Sequence, residues 1–157
     1  MYARENAQVE FCSLQNLSQN TYNFVIKRGR AESNASIIWK DIAIGGKFTQ
    51  LHIQTALICP ESRTESYSGY LGEGEQIFDL YAEALHKAGK TESSLYNRGV
   101  LCDTARTITR GKIFIEKENT KCKAKQKSEN LIVGQKARCD TVPILEVEND
   151  DVSCSHG

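Results

Sequence analysis

Cys154 and His156 stand two residues apart in the stretch DDVSCSHG. In an extended chain alternate side chains share a face, so a thiolate and an imidazole would be offered together to a soft metal. Two ligands do not close a metal site, and spacing places no third or fourth. Other chemistry has fewer signs. His52, in LHIQ, reads as a strand residue on a polar face, and His86 lies just ahead of a turn. Neither belongs to a nucleophile signature such as G-x-S-x-G. LGEGEQ supplies Gly72 and Gly74 but no following lysine–serine pair, so it reads as a turn rather than a phosphate loop. Glu146, Glu148, Asp150 and Asp151 lack the central glycine of a calcium loop and read as surface acids. No catalytic residue is assigned, and a non-enzymatic role is expected.

The elements that would position Cys154 and His156 are short runs of β-formers. YNFVI (Tyr22 to Ile26), SIIWKDIAI (Ser36 to Ile44), FTQLHIQTALI (Phe48 to Ile58), GKIFIEKEN and PILEVEND are bounded by glycine, proline or polar turn residues. This is the pattern of an all-β protein. Asn-Gly and Asp-Gly turns are absent, which leaves sandwiches, barrels and solenoids rather than chained hairpins. No fixed sequence period stands out. Ile77, Leu80, Tyr81, Ala84, Leu85 and Ala88 fall at helical spacing, and alanine, leucine and glutamate favour a helix there. The same segment also reads with a period of two through Phe78, Leu80, Ala82 and Ala84. In KCKAKQKS, Lys121, Lys123, Lys125 and Lys127 share one side of a strand; Cys122, Ala124, Gln126 and Ser128 share the other. The lysines read as a solvated outer face, since the stripe has no aromatics for base stacking. The small residues suit a narrow interior.

The 157 residues carry 20 Lys plus Arg and 20 Asp plus Glu, so no net field draws the chain to nucleic acid or membrane. No apolar run is long enough to span a bilayer, and MYARENAQVE has no signal-peptide core. The six cysteines are scattered and form no C-x-x-C pair, which points to reduced thiols in a cytosol-like compartment. The two prolines and the lack of low-complexity sequence predict a single domain over 1–157.

The stretch from RGKIFIEKEN to SCSHG resembles the SufB/SufD family of iron–sulfur cluster assembly scaffolds. The resemblance rests on Gln126, Asn130-Leu131, Ala137, Asp140-Thr141, Pro143, Leu145-Glu146 and the run from Asp150 to Gly157, in that order. WKDIAIGGKFTQ, LGEGEQIFDLYAEALHKAGKTESS and YNRGVLCDTARTITRG match the family's core less sharply, and coverage runs from about Val9 onward. C-S-H-G looks like the SufD side rather than the SufB side, and Lys127 stands where a SufB cysteine would fall.

The resemblance implies a right-handed parallel β-helix, a single-stranded solenoid, and therefore a strand rather than a helix over Ile77 to Ala88. It implies a core fragment without the family's N-terminal region and C-terminal helical region. The implied function is a cytoplasmic scaffold (plastid in a photosynthetic eukaryote) that pairs with a SufB-like subunit. A SufC-like ATPase would dock if the missing region were present. Cys154 and His156 are then candidate ligands of a transient iron–sulfur cluster built with the partner, with none tightly held by the isolated chain. A severed stack would also self-associate. Two other readings stay open: a β-helix carbohydrate-active enzyme of extracellular type, and a remnant without activity.

Overall fold

A computed structural model describes residues 1–157. The strands alternate between two six-stranded sheets. The odd sheet contains β1 (Tyr2–Ala3), β3 (Tyr22–Ala31), β5 (Phe48–Leu57), β7 (Ile77–His86), β9 (Arg106–Ile115) and β11 (Arg138–Val147). The even sheet contains β2 (Gln8–Leu17), β4 (Ser36–Gly45), β6 (Arg63–Gly72), β8 (Glu92–Leu101), β10 (Cys122–Ile132) and β12 (Val152–His156). Every pairing is parallel, and each strand pairs with the strand two places along the chain. The result is a parallel β-solenoid of about 5 turns without a helix. One coil takes about 30 residues, within the usual range for stacked repeats.

The core lies between the two sheets, so each strand buries every second side chain. The strand implied for Ile77 to Ala88 is present as β7, and the helical periodicity is overruled. Phe78, Leu80, Ala82 and Ala84 all point inward and are buried, while Asp79, Tyr81 and Glu83 face outward. The reason is tertiary. Parallel neighbours β5 and β9 satisfy the backbone on both sides, and the period-two set covers the core. Alternation in KCKAKQKS is also as expected: Cys122, Ala124 and Gln126 are buried, and Lys123, Lys125 and Lys127 are exposed.

Two strands carried no clear signal. RTESYSGYLG (β6) and ESSLYNRGVL (β8) are rich in serine and glycine, yet Thr64, Ser66, Ser68 and Ser93 are buried on their inner faces. Small inward residues let the sheets approach closely. At the turns, Asn119 Nδ2 donates to the His86 carbonyl at 2.8 Å, and Asn149 Nδ2 donates to the Asn119 carbonyl at 3.0 Å. These bonds tie successive corners together, and the His86 carbonyl also accepts from the Glu116 amide at 3.4 Å. LGEGEQ is a turn, with Gly74 at φ 58°.

Candidate functional site

Cys154 and His156 lie on β12, the short outer strand of the even sheet. Register places Cys154 beside Ala124 and His156 beside Gln126. Both therefore point to the inner side, as the C-x-H spacing requires in a strand. The segment is held to its last residue. The Gly157 amide donates to the Gln126 carbonyl at 3.0 Å, and the Ser128 amide donates to the Gly157 carbonyl at 2.9 Å.

Their environments differ. Cys154 is half-buried and packs on the cluster formed by Ala82, Ala84, Leu95, Ile113, Cys122 and Ala124. Burial pushes its thiol pKa up, and the nearby Cys122 adds to the shift. Thiolate formation there needs a metal or an added positive charge. His156 is exposed, at the rim of a cavity of about 280 Å³ that opens between β10, β11 and β12. Gln126, Asn97, Thr109 and Thr141 supply polar groups to its walls. Gln126 Nε2 donates to the Ile144 carbonyl at 3.4 Å. A methyl group on Gly111 would overlap Gln126 Oε1, so this glycine makes room for the amide.

The wall is polar because one inward register column, Ser13, Asp41, Ser68, Asn97 and Ser128, is polar in each coil of the even sheet. Alternation in KCKAKQKS indicated Gln126 and Ser128; Asn97, Thr109 and Thr141 carried no motif and became visible only through the register.

The remaining candidates lie elsewhere. His52 is on the outer face of β5, edge-on to the Tyr81 ring with centroids 4.5 Å apart. His86 is fully buried. Its Nδ1 lies 2.7 Å from Thr91 Oγ1 and its Nε2 lies 2.8 Å from Ser93 Oγ. Thr91 Oγ1 donates to the Ala88 carbonyl at 3.0 Å, so the His86 Nδ1–H donates to Thr91 and Nε2 accepts from Ser93. Cys122 Sγ, 3.3 Å from Thr91 Oγ1, extends this network towards Cys154. Lys127 faces outward and pairs with Glu129 at 2.6 Å. Cys139 faces inward at the opposite corner, where its sulfur is 4.0 Å from the Tyr70 hydroxyl. No three His, Cys, Asp or Glu side chains are close enough to hold a metal ion. Cys154 and His156 are two side chains of metal-ligating type, fewer than a closed site needs.

Comparison with known proteins places the chain among relatives. The family described as SUF system FeS cluster assembly, SufBD core domain, matches residues 1–157. An iron–sulfur cluster assembly SufBD family protein of Mycobacterium tuberculosis (strain ATCC 25618 / H37Rv) is 31% identical over 153 residues, covering 98% of this chain and 18% of that protein. A protein of the same description from Mycobacterium leprae (strain TN) is 32% identical over 154 residues, covering 98% of this chain and 18% of the relative. One from Staphylococcus saprophyticus is 28% identical over 153 residues, covering 97% and 33%. The chain therefore spans a third or less of these relatives. With the family match along its whole length, the chain belongs to the SufBD family of iron–sulfur cluster assembly proteins.

Proposed function

We propose that the chain is the scaffold part of a SufD-like subunit, which builds an iron–sulfur cluster jointly with a SufB-like partner. ATP hydrolysis is assigned to a SufC-like ATPase. The observation that carries this reading is the half-site on β12. His156 is exposed at the rim of the cavity and Cys154, two residues before it on the same inner face of the strand, is half-buried. A cluster is cargo here. Its iron and sulfide would be gathered against thiolates and imidazoles from two chains, and the partner's surface would exclude solvent.

The test is anaerobic reconstitution with iron and sulfide, followed by the visible absorption of the cluster. The isolated chain is expected to assemble little or none. A complex of the longer SufD-like polypeptide with a SufB-like subunit is expected to assemble cluster. His156→Ala in that complex should lower the yield about tenfold, the scale on which loss of a metal-orienting group acts, whereas His52→Ala should leave it unchanged. Equal yields from the two variants would remove His156 from the mechanism. Efficient assembly by the isolated chain would show that its own thiols suffice.

A further inference from the structure

The inward column that ends at His156 changes character directly beside it. Phe11, Trp39, Ser66, Leu95, Gln126 and His156 stand in register across β2, β4, β6, β8, β10 and β12. Aromatic, small and aliphatic side chains fill this column as far as β8, and on β10 it turns to a carboxamide. Gln126 is buried, at 6% exposure, between Ala124 and Ser128 on the inner face of β10. A leucine or methionine would continue the packing at lower cost, because an amide removed from water needs partners at both ends.

Only one end has such a partner. Nε2 donates to the Ile144 carbonyl at 3.4 Å. That carbonyl can only accept, so the orientation of the amide is fixed, with Oε1 directed over Gly111. Oε1 has no donor in the chain, yet it is not sealed away: Gln126, Gly111 and His156 line the same cavity. Backbone geometry does not force the glycine. Gly111 lacks a positive φ, and its register neighbours Ala82 and Pro143 carry side chains. Glycine inside a strand costs stability, and this one gives the amide oxygen its seat. Two local costs thus converge on a free acceptor, in register with an imidazole that has no hydrogen-bond partner of its own.

We propose that Gln126 is a positioning residue for His156: Oε1 accepts the inward N–H of the imidazole and fixes its tautomer. The other ring nitrogen then faces outward, with its lone pair free for iron. Histidines that bind metals are oriented in this way, by a hydrogen bond from the second ring nitrogen. The backbone holds the two side chains on adjacent strands. The Gly157 amide, one residue beyond His156, donates to the Gln126 carbonyl at 3.0 Å. The purpose of the bond rests on His156 as a cluster ligand; the bond itself belongs to the isolated chain.

The test therefore reads the bond and cluster assembly separately. An imidazole N–H proton gives a resolved NMR signal only where a hydrogen bond slows its exchange with water, and His156→Ala identifies which signal is its own. The isolated wild-type chain should show this signal. Gln126→Met, close in volume but without the amide acceptor, should lose it, and Gln126→Glu, which restores an acceptor at the same reach, should keep it. Gly111→Ala, which displaces the amide oxygen while leaving Gln126 in place, should weaken it. Circular dichroism checks that each variant is folded. In the complex of the longer polypeptide with a SufB-like subunit, Gln126→Met should lower cluster yield about tenfold, whereas Gln126→Glu should stay close to wild type. Absence of the signal in wild type, its survival in Gln126→Met, or an unchanged yield from Gln126→Met where His156→Ala lowers it would overturn the proposal. A signal that depends on Gln126, with full yield from His156→Ala, would remove His156 as a ligand and leave the hydrogen bond standing.

Discussion

Gly99→Ala should be among the most destabilising single-methyl additions in this protein. Tyr70 points inward from β6, and its ring crosses the coil above to reach Asn130 on β10, where the hydroxyl donates to Oδ1. It does so over Gly99, the register neighbour of both, and a methyl there would overlap the ring. Phe78 stacks on the ring at 5.7 Å and Tyr70 is buried in the core cluster, so a shift of the ring would unpack its neighbours. Burial also raises its phenol pKa far above the ordinary value, so the hydroxyl stays protonated and its bond to Asn130 is retained at any working pH. Overpacking of this kind costs about 3 kcal/mol, and the displaced hydroxyl adds an unmade buried bond. Urea unfolding should show the loss as a lowered midpoint. In a Tyr70→Ala background the same glycine substitution should cost under about 1 kcal/mol, because the ring it meets is gone. Equal costs in the two backgrounds would show that the ring does not set the requirement for glycine.

Acidification should destabilise the fold through His86 before most carboxylates titrate. Burial lowers the folded-state pKa of this imidazole to about 4, against about 6.5 when unfolded. Between those values the unfolded chain binds a proton that the folded chain does not. The contribution is therefore complete above pH about 6.5 and is lost as pH falls to about 4. At about 1.4 kcal/mol per pH unit over this window the total is about 3.5 kcal/mol. His52, also lowered by burial first and by Arg28 second, acts in the same direction and remains as a background. His86→Gln should keep a polar side chain between Thr91 and Ser93 while removing the titration. Its stability should fall less steeply than wild type between pH 6.5 and 4, measured by urea midpoints across that range. Parallel profiles would place the acid sensitivity elsewhere.

The amino-acid sequence by itself determined the strand-rich class, the turn at Gly74, the two faces of KCKAKQKS and the shared side of Cys154 and His156. All of these depend on neighbours within a few residues, where alternation and turn chemistry act directly. The ordered residues from Gln126 to Gly157 also carried the family. Tertiary structure decided the rest. Ile77 to His86 satisfies a helical spacing as well as a period of two, and only its place between β5 and β9 selects the strand. The proximity of Cys122 to Cys154, the crossing of Tyr70 over Gly99, and the hydroxyl pair around His86 join separate strands. The physical reason is the stacking itself. Each inner position meets residues about one coil away, and many small or aliphatic side chains fill a narrow interior equally well. The contacts therefore repeat from coil to coil without a repeat in the sequence.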